Sequence, residues 1–115
     1  MRISELQSEA WRIAEEKGFH KGRTASRDDT LVRLCLIHSE VSEATQEVKR
    51  HWVEPINIVT RERVAEEMAD ILIRCADLAA CIGANLEASV EAKLKKNEGR
   101  LPGYGTPHEG RAEGI

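Results

Sequence analysis

Met68-Ala-Asp-Ile-Leu-Ile-Arg-Cys-Ala-Asp-Leu-Ala-Ala-Cys-Ile82 carries only three charges, Asp70, Arg74 and Asp77. With Arg63 and Glu67 just upstream, the charges recur at i, i+4, i+7, i+11 and i+14, which is one stripe of an α-helix. The other faces hold Val64, Met68, Ile71, Leu72, Ile73, Cys75, Leu78, Ala79 and Ile82. The spacing therefore predicts a helix that is apolar nearly all round, and a helix of that kind is buried. A buried carboxylate is costly unless it is paired or coordinates a metal. Glu67 and Asp70 are expected to have a partner.

The preceding segment offers one. Leu31 to Trp52 reads as helical, with Leu31, Leu34, Val41, Thr45, Val48 and Trp52 on one face. Glu40, Glu43 and Glu47 gather on another, with Leu36 one turn before Glu40. Two helices thus each present an acidic pair, Glu40-Val-Ser-Glu43 and Glu67-Met-Ala-Asp70. Oxygen ligands in i, i+3 pairs on facing helices suit a hard divalent cation such as Mg²⁺. Solvated acids are the plainer reading of Glu40 and Glu43 alone, but not of a second pair set in an apolar helix.

Working outward, four helices account for most of the chain, and the class is all-α. The first is expected to start at Ser4, where Ser-Glu-Leu-Gln reads as a capping box, and to stop at Gly18 after Lys17. A basic, small-residue loop spans Gly18 to Asp28, and Asp28 or Asp29 is expected to cap the second helix. Pro55 marks the connection from Val53 to Val59. Thr60 is expected to cap the third helix, Gly83 to end it, and Asn85 to cap a fourth from Leu86 to Glu98. From Gly99 onward glycine and proline predict a loop, so residues 1–105 read as one domain and 106–115 as a flexible tail. A third helix apolar on all sides needs more cover than three neighbours give, and a homodimer or homotetramer that completes the bundle is the simplest remedy.

Bulk properties narrow the function. A net charge of −3 makes no case for binding a nucleic acid polymer. Trp11, Phe19, Trp52 and Tyr104 are too few for a stacking platform. Cys35, Cys75 and Cys81 lack CxxC spacing and read as core thiols in a reducing compartment, not as disulfides or zinc ligands. Met1-Arg-Ile-Ser-Glu-Leu6 lacks the apolar stretch of a secretion signal, and no apolar run is long enough to span a bilayer, so a cytoplasmic protein without membrane contact is expected. No histidine follows a glutamate by three residues, which removes a di-iron carboxylate bundle.

The fourth helix adds a cationic face of Lys93, Lys96, Asn97 and Arg100 at i, i+3, i+4 and i+7. Point charges, a guanidinium fork and an amide suit a polyphosphate, although cations also favour a helix C-terminus on their own account. Three segments then carry a family resemblance: Leu36-Ile-His-Ser-Glu-Val-Ser-Glu-Ala44, Glu66-Glu-Met-Ala-Asp-Ile-Leu72 and Lys93-Leu-Lys-Lys-Asn-Glu-Gly-Arg100. With Lys17-Gly-Phe-His20 ahead of them, the chain resembles the MazG-like nucleotide pyrophosphohydrolases of the all-α NTP pyrophosphatase superfamily over residues 5 to 105.

The resemblance implies a four-helix, MazG-type bundle completed by dimerisation. It also implies Mg²⁺-dependent (Mn²⁺ substituting) hydrolysis of a nucleoside triphosphate to the monophosphate and pyrophosphate. Carried over, Glu40, Glu43, Glu67 and Asp70 hold metal, while Lys93, Lys96, Asn97 and Arg100 lie near the phosphates, with Tyr104 a lesser candidate. Many members read Glu-Glu-x-x-Glu in the first motif, where this chain has Ser39. A serine cannot serve as a carboxylate base, which leaves Glu43 or Glu66 for that role. Trp11, Phe19 and His20 are candidates for the base of the nucleotide, Trp11 and Phe19 being equally candidates for the core. His20 and His38 read as structural or solvent-facing rather than catalytic. The rival expectation is a catalytically silent helical dimer that binds a nucleotide or a protein partner.

Overall fold

Four helices, α1 (Ile3–Glu16), α2 (Arg27–Arg50), α3 (Ile58–Cys81) and α4 (Leu86–Glu98), follow one another in a computed structural model, whose described residues are 1–100. No strand occurs among them. Tyr104 and the 106–115 tail lie outside the described residues. No described helix is long and apolar enough to cross a membrane.

Helix ends show what local spacing does and does not dictate. Gly18 and Gly83 sit at φ +77 and +73, and the turn after each helix closes through Phe19 N–H to Ala14 O and Ala84 N–H to Ala79 O. Asn85 accepts from Ala88 N–H and starts α4 at Leu86 as expected. The other three starts differ from the expected ones. Ser26, not Asp28 or Asp29, caps α2 by accepting from Asp29 N–H. Asn57 caps α3 by accepting from Thr60 N–H at 2.8 Å, and Thr60 is instead fully buried. In α1 the cap moves to Arg2, whose N–H donates to Glu5, while Ser4 N–H donates to Glu87 of α4. Short polar residues preceded the expected caps in the first two cases, and a contact 83 residues away took over in the third.

The helices α2 and α3 form an antiparallel pair: Glu47 faces Arg63 at 3.6 Å and Glu40 faces Arg74 at 2.9 Å, one sequence number rising as the other falls. Packing runs α2 on α3, α1 on α3, and α4 on a shorter stretch of α1. Among the described residues, the buried apolar ones are Ala10 and Ala14 of α1 with Ala76, Leu78 and Ala79 of α3. The core therefore lies between α1 and the C-terminal half of α3.

All-round burial of α3 does not hold within one chain. Its middle stretch leaves Met68 and Leu72 more than half exposed, at 56% and 60%. The reason is electrostatic pairing. The charged stripe, not an apolar face, is turned toward α2, because Arg63 and Arg74 meet the glutamates there. On α2, likewise, Arg33, Ile37, Glu40, Ala44 and Glu47 are shielded while Leu31, Leu34 and Val41 are exposed.

Candidate metal centre

The α2–α3 seam gathers acids. Glu40, Glu67 and Asp70 bring one carboxylate oxygen each to within 4.8 Å of one another. Glu40 is buried, Glu67 half-buried and Asp70 exposed, so the expectation that Asp70 is buried is corrected: it stands at the rim, where water reaches it. Regular helical spacing produces the convergence, since Glu40 and Glu67 both sit on the seam-facing stripe of their helices.

Charge in the cluster is unbalanced. Arg74 Nε donates to Glu40 Oε1 at 2.9 Å and is the cation that spacing alone did not assign. Among the described residues no cation pairs with Glu67, and its Oε2 is buried without a hydrogen-bond partner there. Burial, and then the neighbouring carboxyls of Glu43 and Glu40, push the Glu67 pKa up to about 7. A carboxyl held among carboxyls takes up either a proton or a cation. Glu43 borders Glu67 in this way, whereas Glu66 is exposed on the other side of the stripe. Ser39 Oγ donates to Cys35 O within its own helix and so is engaged away from the cluster.

The remaining candidates divide into two groups. Lys93, Lys96 and Asn97 are exposed along α4, and Arg100 just beyond it is half-buried. Because α4 packs on α1, this cationic face is not built onto the α2–α3 seam. Among the base-binding candidates, Phe19 is exposed and Trp11 packs its ring 5.5 Å from that of His20. His20 is half-buried, and His38 is exposed. His20 lies between Glu15 and Asp77, at 2.6 and 2.7 Å. Burial opposes the charged ring, but hydrogen bonds to the two carboxylates prevail and raise its pKa.

No protein-family model, curated protein or solved structure matches the chain. The site alone carries the functional reading.

Proposed function

We propose that the chain is a divalent-metal-dependent nucleoside triphosphate pyrophosphohydrolase. The observation that carries this is Glu67: a carboxyl set among Glu40, Glu43 and Asp70, with a buried oxygen that no donor satisfies. An oxygen-only donor set fits Mg²⁺ or Mn²⁺. Glu40, Glu43, Glu67 and Asp70 would hold the ion, with Glu40 shared between it and Arg74. Bound there, it supplies charge neutralisation for phosphates and a water of lowered pKa.

The chain's own groups supply the rest. Glu43 is the base candidate that borders Glu67, and Glu66 is the more remote one. Lys93, Lys96, Asn97 and Arg100 hold the β and γ phosphates as one leaving unit, which directs cleavage between the α and β phosphorus atoms. This division of labour, metal-centred charge with no nucleophilic side chain, is also what the MazG-like resemblance implies.

A dimer belongs to the same reading. Val41 follows Glu40 by one residue and Met68 follows Glu67 by one, so each apolar stripe is turned about 100° from the seam in the same sense. In an antiparallel pair, equal turns point to the same side. Leu34 and Val41 of α2 thus share one flank of the hairpin with Met68 and Leu72 of α3, and all four are exposed. Contiguous apolar surface of this kind marks an interface. A second copy that covers this flank also completes the bundle and can bring a cationic α4 toward the carboxylates.

The test is product chromatography from a panel of nucleoside triphosphates, with Mg²⁺ and with EDTA. Monophosphate plus pyrophosphate, lost in EDTA, is the expected result. Orthophosphate plus a diphosphate would point to a different hydrolase. No turnover at all favours the silent binder, the reading that Ser39 in place of a carboxylate keeps open.

A further inference from the structure

A second cluster lies at the opposite end of α3, where the loop between α1 and α2 returns to the bundle. His20 on that loop is held between two carboxylates: Nδ1 stands 2.6 Å from Glu15 Oε2, and Nε2 stands 2.7 Å from Asp77 Oδ1. A neutral imidazole carries one N–H, so it can donate to one carboxylate only, and its other nitrogen then turns a lone pair toward the second. Either a second proton or a cation resolves that conflict.

Cys81 bears on the choice. It follows Asp77 by one helical turn, and its thiol donates to the same Asp77 Oδ1 at 3.8 Å. Beside an imidazolium this thiol is only a weak second donor to an oxygen that His20 already engages. A cation gives it a ligand's role: His20, Asp77 and Cys81 each bring a ligand atom to within 4.8 Å of the others. Nitrogen, sulfur and one carboxylate oxygen are donors for zinc rather than for magnesium. Glu15 on Nδ1 supplies the outer carboxylate that orients a metal-bound histidine.

We propose that His20, Asp77 and Cys81 form a binding site for Zn²⁺, with Glu15 as the positioning residue of His20 and water as the fourth ligand. Ligand atoms around a tetrahedral zinc stand about 3.3 to 3.5 Å apart. The Nε2–Oδ1 gap of 2.7 Å therefore opens by about half an ångström, and the Sγ–Oδ1 gap of 3.8 Å closes by about 0.3 Å. His20 is on a loop between two turns at Gly18 and Gly22, so this adjustment leaves the helices in place.

The exchange balances in charge. Before it, an imidazolium and Arg33, which is near enough to act on the Cys81 thiol, offset Glu15 and Asp77. After it, Zn²⁺ and Arg33 offset Glu15, Asp77 and the thiolate. Two protons leave, one from Nε2 and one from Sγ. Arg33 Nη1, buried without a hydrogen-bond partner, gains an anionic neighbour in the thiolate. The ion ties α1, the loop and α3 together at one point.

Cobalt titration of the tag-free protein tests this, because Co²⁺ bound to a thiolate absorbs in the near ultraviolet and Co²⁺ bound to oxygens alone does not. One equivalent should produce the band, and Zn²⁺ should bleach it. Cys81→Ser and His20→Gln should abolish it, while Cys35→Ser and Cys75→Ser should leave it. Glu15→Gln should weaken binding about tenfold or more without removing the band. Absence of the band in the wild type overturns the proposal, as does its survival in Cys81→Ser. Should Cys81→Ser fail to fold, its survival in His20→Gln serves the same purpose.

Discussion

The last turns of α3 and its middle stretch meet the same demands with different results. In the last turns, Ala76, Leu78 and Ala79 are shielded, and Asp77 is matched by His20. In the middle stretch, Met68 and Leu72 face outward, and Glu67 meets carboxyls with one oxygen unsatisfied. Apolar cover is fuller in the last turns, and Asp77 there has the cationic partner that Glu67 lacks among the described residues. Under the proposed function, the unsatisfied carboxyl of the middle stretch receives an ion, and the exposed flank beside it receives a second chain.

Truncating one leucine in each stretch, Leu78 in the last turns and Leu72 in the middle, is the sharpest way to break the contrast. Leu78→Ala should cost about 3 kcal/mol in denaturant melts, as large-to-small changes in a packed core do. Leu72→Ala would be nearly neutral in a lone chain, given its 60% exposure. A second copy on that flank makes it destabilising too, and sedimentation should then show the wild type as a dimer or larger and Leu72→Asp as dissociated. A folded wild-type monomer at micromolar concentration would remove the flank from consideration.

The carboxyl cluster gives the next largest effect. Glu67→Gln should lower kcat about a hundredfold or more, as loss of metal-centred charge stabilisation does. The same change should spare or raise the melting temperature of the metal-free protein, since it removes a like charge from Glu40 and Glu43. Mg²⁺ should stabilise the wild type and not the variant. A wild type whose melt ignores Mg²⁺ defeats the cluster as an ion site.

Smaller effects belong to the ends of the helices. Asn57→Ala should cost about 1 kcal/mol by removing the acceptor for Thr60 N–H. Glu87, held by Arg2 and by Ser4 N–H, has its pKa lowered to about 2. A carboxylate depressed in the folded state stabilises fully above its ordinary value near 4.5, and that stabilisation fades as pH falls toward 2. Wild type should therefore lose melting temperature across that interval slightly more than Glu87→Gln does.

Local rules read much of this fold correctly. Gly18, Gly83 and Asn85 end or begin helices through contacts within five residues, which is the range over which spacing carries information. The convergence of Glu40, Glu67 and Asp70 was also legible, because helical periodicity puts the acids of each pair on one stripe. What escaped was pairing between distant residues. Arg74 with Glu40, Arg63 with Glu47, and His20 with Asp77 depend on which stripes face each other after α2 and α3 pack. Nothing in the spacing of Arg63, Arg74 and Asp77 distinguishes a seam from a solvated face. The same blindness made α3 read as buried on every side: periodicity reports that a face is apolar, but not whether this chain or another covers it.

Gln7 shows how the chain fixes the angle between its last two helices. Its Nε2 donates to Ala84 O at 2.8 Å, and its Oε1 accepts from Leu86 N–H at 3.3 Å. One primary amide thus imitates a passing strand of backbone at the α3–α4 corner, reading both a carbonyl and an N–H from the side. Neither a glutamate, which lacks the donor, nor a leucine of similar size can reproduce that double reading. The direction in which α4 leaves the bundle, and with it the aim of Lys93 and Lys96, is therefore governed from α1, by a residue nearly eighty positions earlier in the chain.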